Sequence, residues 1–218
     1  MKTHAKKYIA ELIGTYILVF CGTGAVVIDQ VTNGGVTHAG VAFTFGLVVM
    51  SLIYAFGEVS GAHLNPAVSI AFSIAGRFER KMLLPYIVSQ LVGALLASLT
   101  LKLLFPANNL LGATLPAGSV IQSFVLELLL TFFLMLIILQ VATGSKEQGI
   151  MAGIAIGGVI LLEAMFAGPV SGASMNPARS LAPALVSGHL EYVWVYLLAT
   201  PLGAIAAVPV WKYLTQPQ

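Results

Sequence analysis

Ser60-Gly61-Ala62-His63-Leu64-Asn65-Pro66-Ala67-Val68 and Ser171-Gly172-Ala173-Ser174-Met175-Asn176-Pro177-Ala178-Arg179-Ser180 decide the fold. In each, small residues lead into Asn-Pro-Ala and then an apolar run. Asn is a favoured N-cap and Pro suits the first helical position. Each stretch therefore predicts a helix that starts at its Asn, over about 65–76 and 176–187. Both runs fall short of the roughly 20 residues that cross a bilayer. They predict half-helices entered through non-helical backbone, which survives at membrane depth only where it lines a cavity or is buried in protein.

The rest of the chain supplies the membrane. Of 218 residues, 58% are hydrophobic and 8% charged, and mean hydropathy is +0.96. A soluble domain carries about 25% charged residues. This composition excludes a soluble enzyme, a nucleic-acid binder and a disordered chain. The net charge of +2 leaves no large basic surface, and a single Cys21 excludes intramolecular disulfides and cysteine metal clusters. Full spans are predicted at about 8–29, 38–57, 83–105, 120–142, 149–168 and 192–214. Lys2, Lys6 and Lys7 precede an apolar run that is long enough to span, so the first segment reads as a retained helix.

The chain repeats itself. Asn65 and Asn176 are 111 residues apart, Gln90–Ala97 matches Thr200–Ala207 at an offset of 110, and Glu11 with Thr15 matches Glu127 with Thr131 at 116. Within a single channel domain over 1–218, repeat one covers about 8–105 and repeat two about 120–214. Three spans per repeat is an odd number, so the repeats are inverted across the membrane. With the N-terminus inside, the inner ends hold Lys2, Lys6, Lys7, Arg77, Arg80, Lys81, Lys146 and Lys212, and the outer ends hold Lys102 and Arg179. That imbalance places both termini in the cytoplasm. Gly153 with Gly157, Gly93 with Ala97 and Gly203 with Ala207 are small-residue pairs suited to close helix packing.

In an inverted repeat the two half-helix N-termini meet near the midplane. Each Asn oxygen then caps its own helix, leaving the NH2 groups of Asn65 and Asn176 free to hold a passing oxygen. Both positive dipole ends face that spot and repel cations. The carbonyls of Gly61, Ala62, His63 and Leu64, and of Gly172, Ala173, Ser174 and Met175, are expected to line the path from extended backbone.

On these motifs the sequence resembles an aquaporin, a member of the major intrinsic protein family, from Glu11 to about Tyr213. Pro169–Ser180 is similar to the nodulin-like branch of plants and its bacterial relatives. The resemblance implies an all-α membrane protein with six transmembrane helices, two re-entrant half-helices, a pore in each subunit and a homotetramer. It implies a cell-membrane location and lipid as the surrounding partner. It also implies a filter of Phe45, Ala164, Ala173 and Arg179, and carboxylates Glu11 and Glu127 that brace the re-entrant loops. Arg179 offers fixed donors and a cation-repelling charge; its structural alternative is an ion pair with Glu163 or Glu191. Phe45 adds an apolar face, or else packs in the helix core.

Water-selective relatives hold His and Cys or Thr where Ala164 and Ala173 stand here. Two alanines widen the ring, so glycerol, urea, or boric or arsenous acid is expected to pass alongside water, with ions and protons excluded. Ser180 departs from glycerol facilitators, which often carry Asp there. Glu58 stands where many relatives have His, and reads as a vestibule pH sensor or a solvated carboxylate. Glu163 stands where plant relatives often have Asn. It is a candidate filter modulator, either pairing with Arg179 or bracing the second loop. His63 reads as a pore-mouth or loop-bracing residue, and Cys21 as a small core residue. No metal set, cofactor or nucleic-acid partner is expected. A water-selective pore is the alternative within the class, and a coupled secondary transporter, with Glu163 as its carboxylate, is the alternative outside it. No Ser/His pair, His-Glu-x-x-His or paired Asp supports an enzyme.

Overall fold

The computed structural model describes residues 2–142 and 144–215, without the side chains of Lys2, Thr3, Lys146, Glu147 and Gln148. Two of the cations in the charge count, Lys2 and Lys146, thus have side chains outside the described residues. The elements are α1 (Lys2–Val31), α2 (Thr37–Ser60), α3 (Pro66–Ile74), α4 (Arg80–Leu104), α5 (Val120–Ala142), α6 (Lys146–Ser171), α7 (Pro177–Ser187) and α8 (Val193–Thr215). Six are long and apolar enough to cross a membrane, and α3 and α7 are the two short ones. The fold is all-helical.

Several helices outrun their predicted ends, each for a local reason. Lysine is a good helix former, so α1 continues back through Lys6 and Lys7. The spans expected to stop at 57 and 168 run on to Ser60 and Ser171, where Gly61 (φ 89°) and Gly172 (φ 85°) turn the chain left-handed. In α6 that extension passes Pro169, which has no N–H for the Met165 carbonyl four residues earlier. His38 Nε2 fills the vacancy by donating to that carbonyl at 2.8 Å.

The two halves make matching contacts. α1 packs on α4, α5 packs on α8, and α2 crosses α6. Gly93 lies against the carbonyl of Leu12, and Gly203 against that of Leu128, with no room for a Cβ. At the α2–α6 crossing, Gly46 and Gly157 sit equally close on each other's backbone carbonyls. Small residues let helices approach where lipid supplies no hydrophobic drive. The short helices interlock the halves: α3 packs on α8 and α7 on α4.

Candidate functional site

Asn65 and Asn176 are held in extended backbone, φ −156° and −150°, just before α3 and α7. The Asn65 side-chain oxygen accepts from Ala67 N at 2.9 Å. That of Asn176 accepts from Ala178 N at 3.0 Å and Arg179 N at 3.4 Å. Each cap stabilises its helix start by about 1 kcal/mol. The NH2 groups are only half as free as expected. Asn65 Nδ2 donates to the Met175 carbonyl at 2.7 Å, and Asn176 Nδ2 to the Leu64 carbonyl at 2.9 Å. This reciprocal pair staples the two half-helix N-termini together. Each amide keeps one N–H, and both Asn residues line the central cavity.

The segments before the Asn residues are not extended, contrary to expectation. Ala62 (φ 46°), Leu64 (53°), Ala173 (42°) and Met175 (54°) are left-handed as well as Gly61 and Gly172. Such backbone costs about 1–3 kcal/mol per non-glycine residue and persists only where its surroundings hold it. Two buried carboxylates do so. Glu11 accepts from Ser60 Oγ (2.7 Å), His63 N (2.9 Å), Leu64 N (2.7 Å) and Gln90 Nε2 (2.8 Å). Glu127 accepts from Ser171 Oγ (2.7 Å), Ser174 N (2.8 Å) and Met175 N (2.9 Å). Tyr86 and Tyr196 were not singled out in the sequence, where neither stands in a motif. They donate to the Ser60 and Ser171 carbonyls at 2.8 and 2.7 Å.

A cavity of about 960 Å³ runs past the Asn pair. Glu58 and Arg77 line it at one end, and Phe45 and Arg179 at the other. His63, Ala62 and Ala173 also line it. The His63 ring sits among Phe72, Phe78 and Tyr86, with centroids at 4.8, 4.7 and 5.2 Å, and its Nδ1 bonds Ser69 Oγ at 3.0 Å. No group of three His, Cys, Asp or Glu residues suited to a metal occurs among the described residues.

Arg179 is 4% exposed. One terminal nitrogen donates to the Gly112 carbonyl at 2.7 Å, and the guanidinium carbon lies 5.0 Å from the Phe45 ring centroid. Its Nε has no protein partner. Gly112, in the segment between α4 and α5, is a residue that sequence reading missed, because a backbone acceptor leaves no side-chain signal. The pairing of Arg179 with Glu163, one of the alternatives the sequence left open, does not occur. Glu163 is 3% exposed, neither of its oxygens has a hydrogen-bond partner, and it does not line the cavity. Nor does it brace the second loop, whose N–H groups go to Glu127. Residue 163 follows Ile160 by three and Ile156 by seven, so helical periodicity alone would group it with Ala152, Ile156 and Ile160, which line the cavity, yet the cavity does not reach its side chain. Ala164, 6% exposed, continues that face by one turn, but its methyl group does not reach the cavity lining.

Residues 1–211 match the major intrinsic protein family. Aquaporin NIP1-1 of Zea mays is 50% identical over 209 residues, which cover 95% of this chain and 73% of that protein. Nodulin-26 of Glycine max is 47% identical over 209 residues, covering 95% and 76%. Among solved structures, the aquaglyceroporin from Plasmodium falciparum superposes with a TM-score of 0.81 at 26% identity and covers 96% of each chain. The chain belongs to the major intrinsic protein family and is an integral, multi-pass membrane protein.

Proposed function

We propose that this member of the aquaporin channels, which are not enzymes, passes water together with small uncharged solutes: glycerol, urea, and boric or arsenous acid. One observation carries the solute range. The cavity wall at Arg179 consists of a guanidinium that is fixed by Gly112 and lies over Phe45, with the methyl group of Ala173 beside them, and Ala164 puts no side chain into the opening at all. The Arg179 guanidinium and the remaining N–H of each Asn amide offer donors to a hydroxyl oxygen, while Phe45 faces a carbon chain. The fixed cation and the two converging helix N-termini oppose cations and protons. Water and neutral hydroxyl compounds meet no such barrier.

Residues 8–105 and 120–214 act as the two inverted repeats of a single channel domain. The cation imbalance supports cytoplasmic termini in a cell membrane. Exposed Leu84, Leu103, Ile121 and Leu162 suit lipid or neighbouring subunits of a homotetramer. The coupled-transporter reading loses its carboxylate, because Glu163 lies off the cavity.

Stopped-flow light scattering on proteoliposomes tests the proposal. An impermeant osmolyte should give fast shrinkage, and glycerol or boric acid fast shrinkage followed by re-swelling. Arg179→Val should increase solute entry and Ala173→Phe should block it. Shrinkage with no re-swelling would mean a water-selective pore.

A further inference from the structure

Gly22 is buried on α1 and does not line the cavity, although Leu18, one turn earlier, does. The Phe45 ring is seated directly against it. A Cβ added at Gly22 would fall on Phe45 Cε1 and within 2.6 Å of both Cδ1 and Cζ. The ring edge thus occupies the volume a side chain at position 22 would take. Arg179 lies over the same ring, and the open space that the ring borders is the cavity. Atoms in a packed core cannot share volume, so any side chain at 22 drives Phe45 off α1 and into the pore.

We propose that Gly22 is a specificity-determining position outside the lumen: by lacking a side chain it holds Phe45 back and sets the pore width beside Arg179. This rests on the reading of Phe45 and Arg179 as the filter. Gly24, two residues on, is the internal control. A Cβ there meets only Leu101 Cδ2 at an ordinary 3.5 Å.

The test compares solute and water permeability in proteoliposomes, normalised to folded protein, for Gly22→Ala, Gly24→Ala, Phe45→Leu, Arg179→Val and the double variant Gly22→Ala with Phe45→Leu. Gly22→Ala should lower glycerol and boric acid permeability about tenfold and water permeability about twofold or less, since a narrowed pore discriminates by solute width. Gly24→Ala should match the wild type, and Phe45→Leu should restore solute flux in the double variant. If the wild type passes water alone, the same pattern is read in water flux. The proposal is overturned if Gly22→Ala behaves like Gly24→Ala while Phe45→Leu shifts the ratio; the filter reading then stands. It is equally overturned if Gly22→Ala abolishes all flux and Phe45→Leu restores none. If neither Phe45→Leu nor Arg179→Val changes the ratio, the filter reading falls and this inference falls with it.

Discussion

The first re-entrant loop and the second share their backbone machinery and differ in their chemistry. Each has an Asn that caps its own helix and bonds the opposite loop, a glutamate accepting two loop N–H groups and a serine hydroxyl, and a tyrosine on a serine carbonyl. At the offset of 111, however, Val68 stands opposite Arg179, His63 opposite Ser174, and Leu52 opposite Glu163. The first loop keeps His63 in an aromatic box tied to Ser69. The second replaces that box with a hydroxyl chain, Ser174 to Ser180 at 2.5 Å and Ser180 to Thr114 at 2.7 Å. The parts that shape the backbone had to be duplicated, because both half-helices must arrive at the midplane in the same way. The parts outside that brace differ between the two loops, and only the second motif is followed directly by an arginine.

Removing the shared brace should have the largest effect. Glu11→Ala and Glu127→Ala each orphan two buried backbone donors, at about 1–3 kcal/mol apiece, besides freeing the left-handed loop. Each variant should lose more than ~3 kcal/mol and fail to accumulate as folded channel, which thermal melting in detergent reads directly. If one half tolerates the change and the other does not, the equivalence of the two braces is wrong.

Replacing Glu163 with its counterpart in the first half comes next. Glu163→Leu removes a buried carboxyl that has no partner and should raise stability by about 1–3 kcal/mol. The melting temperature should rise with solute selectivity unchanged; a change in selectivity would return Glu163 to the pore. Arg179→Val makes the second loop resemble Val68 of the first. Solute permeability should rise about tenfold, or ~1.4 kcal/mol, and a pH-sensitive dye inside the vesicles should report faster proton entry. The smallest effect is expected at His38. His38→Ala leaves the Met165 carbonyl unpaired and should cost about 1 kcal/mol, partly recovered by His38→Gln, which retains an N–H donor. Equal melting of all three proteins would show that water serves that carbonyl just as well.

The two half-helices and six spans were legible because cap residues and apolar run length act within one segment. Helix ends were less legible. Gly61 and Gly172 stop α2 and α6 three residues late, and past Pro169 the Met165 carbonyl takes its hydrogen bond from His38, 127 residues away. The Asn amides were read as free because their acceptors lie 110 and 112 residues away on the other loop. For Glu163 the sequence offers both a pairing with Arg179 and a brace for the second loop, because it is charged and lies near the second motif. Their geometry depends on the face each residue takes on its helix. The Gly22–Phe45 seat leaves no trace in either segment taken alone.

By itself, then, the sequence determined the solvent, the count of crossings and the two half-helix starts. Those follow from hydrophobicity, capping and repetition, which are local or periodic properties. Only the tertiary structure decided which Asn N–H groups are tied to the opposite loop, that Gly112 rather than a carboxylate holds Arg179, and that Glu163 stands apart. These are contacts between segments distant in the chain. They depend on how closely helices approach and which face each one turns inward, and that is settled only when all eight pack together.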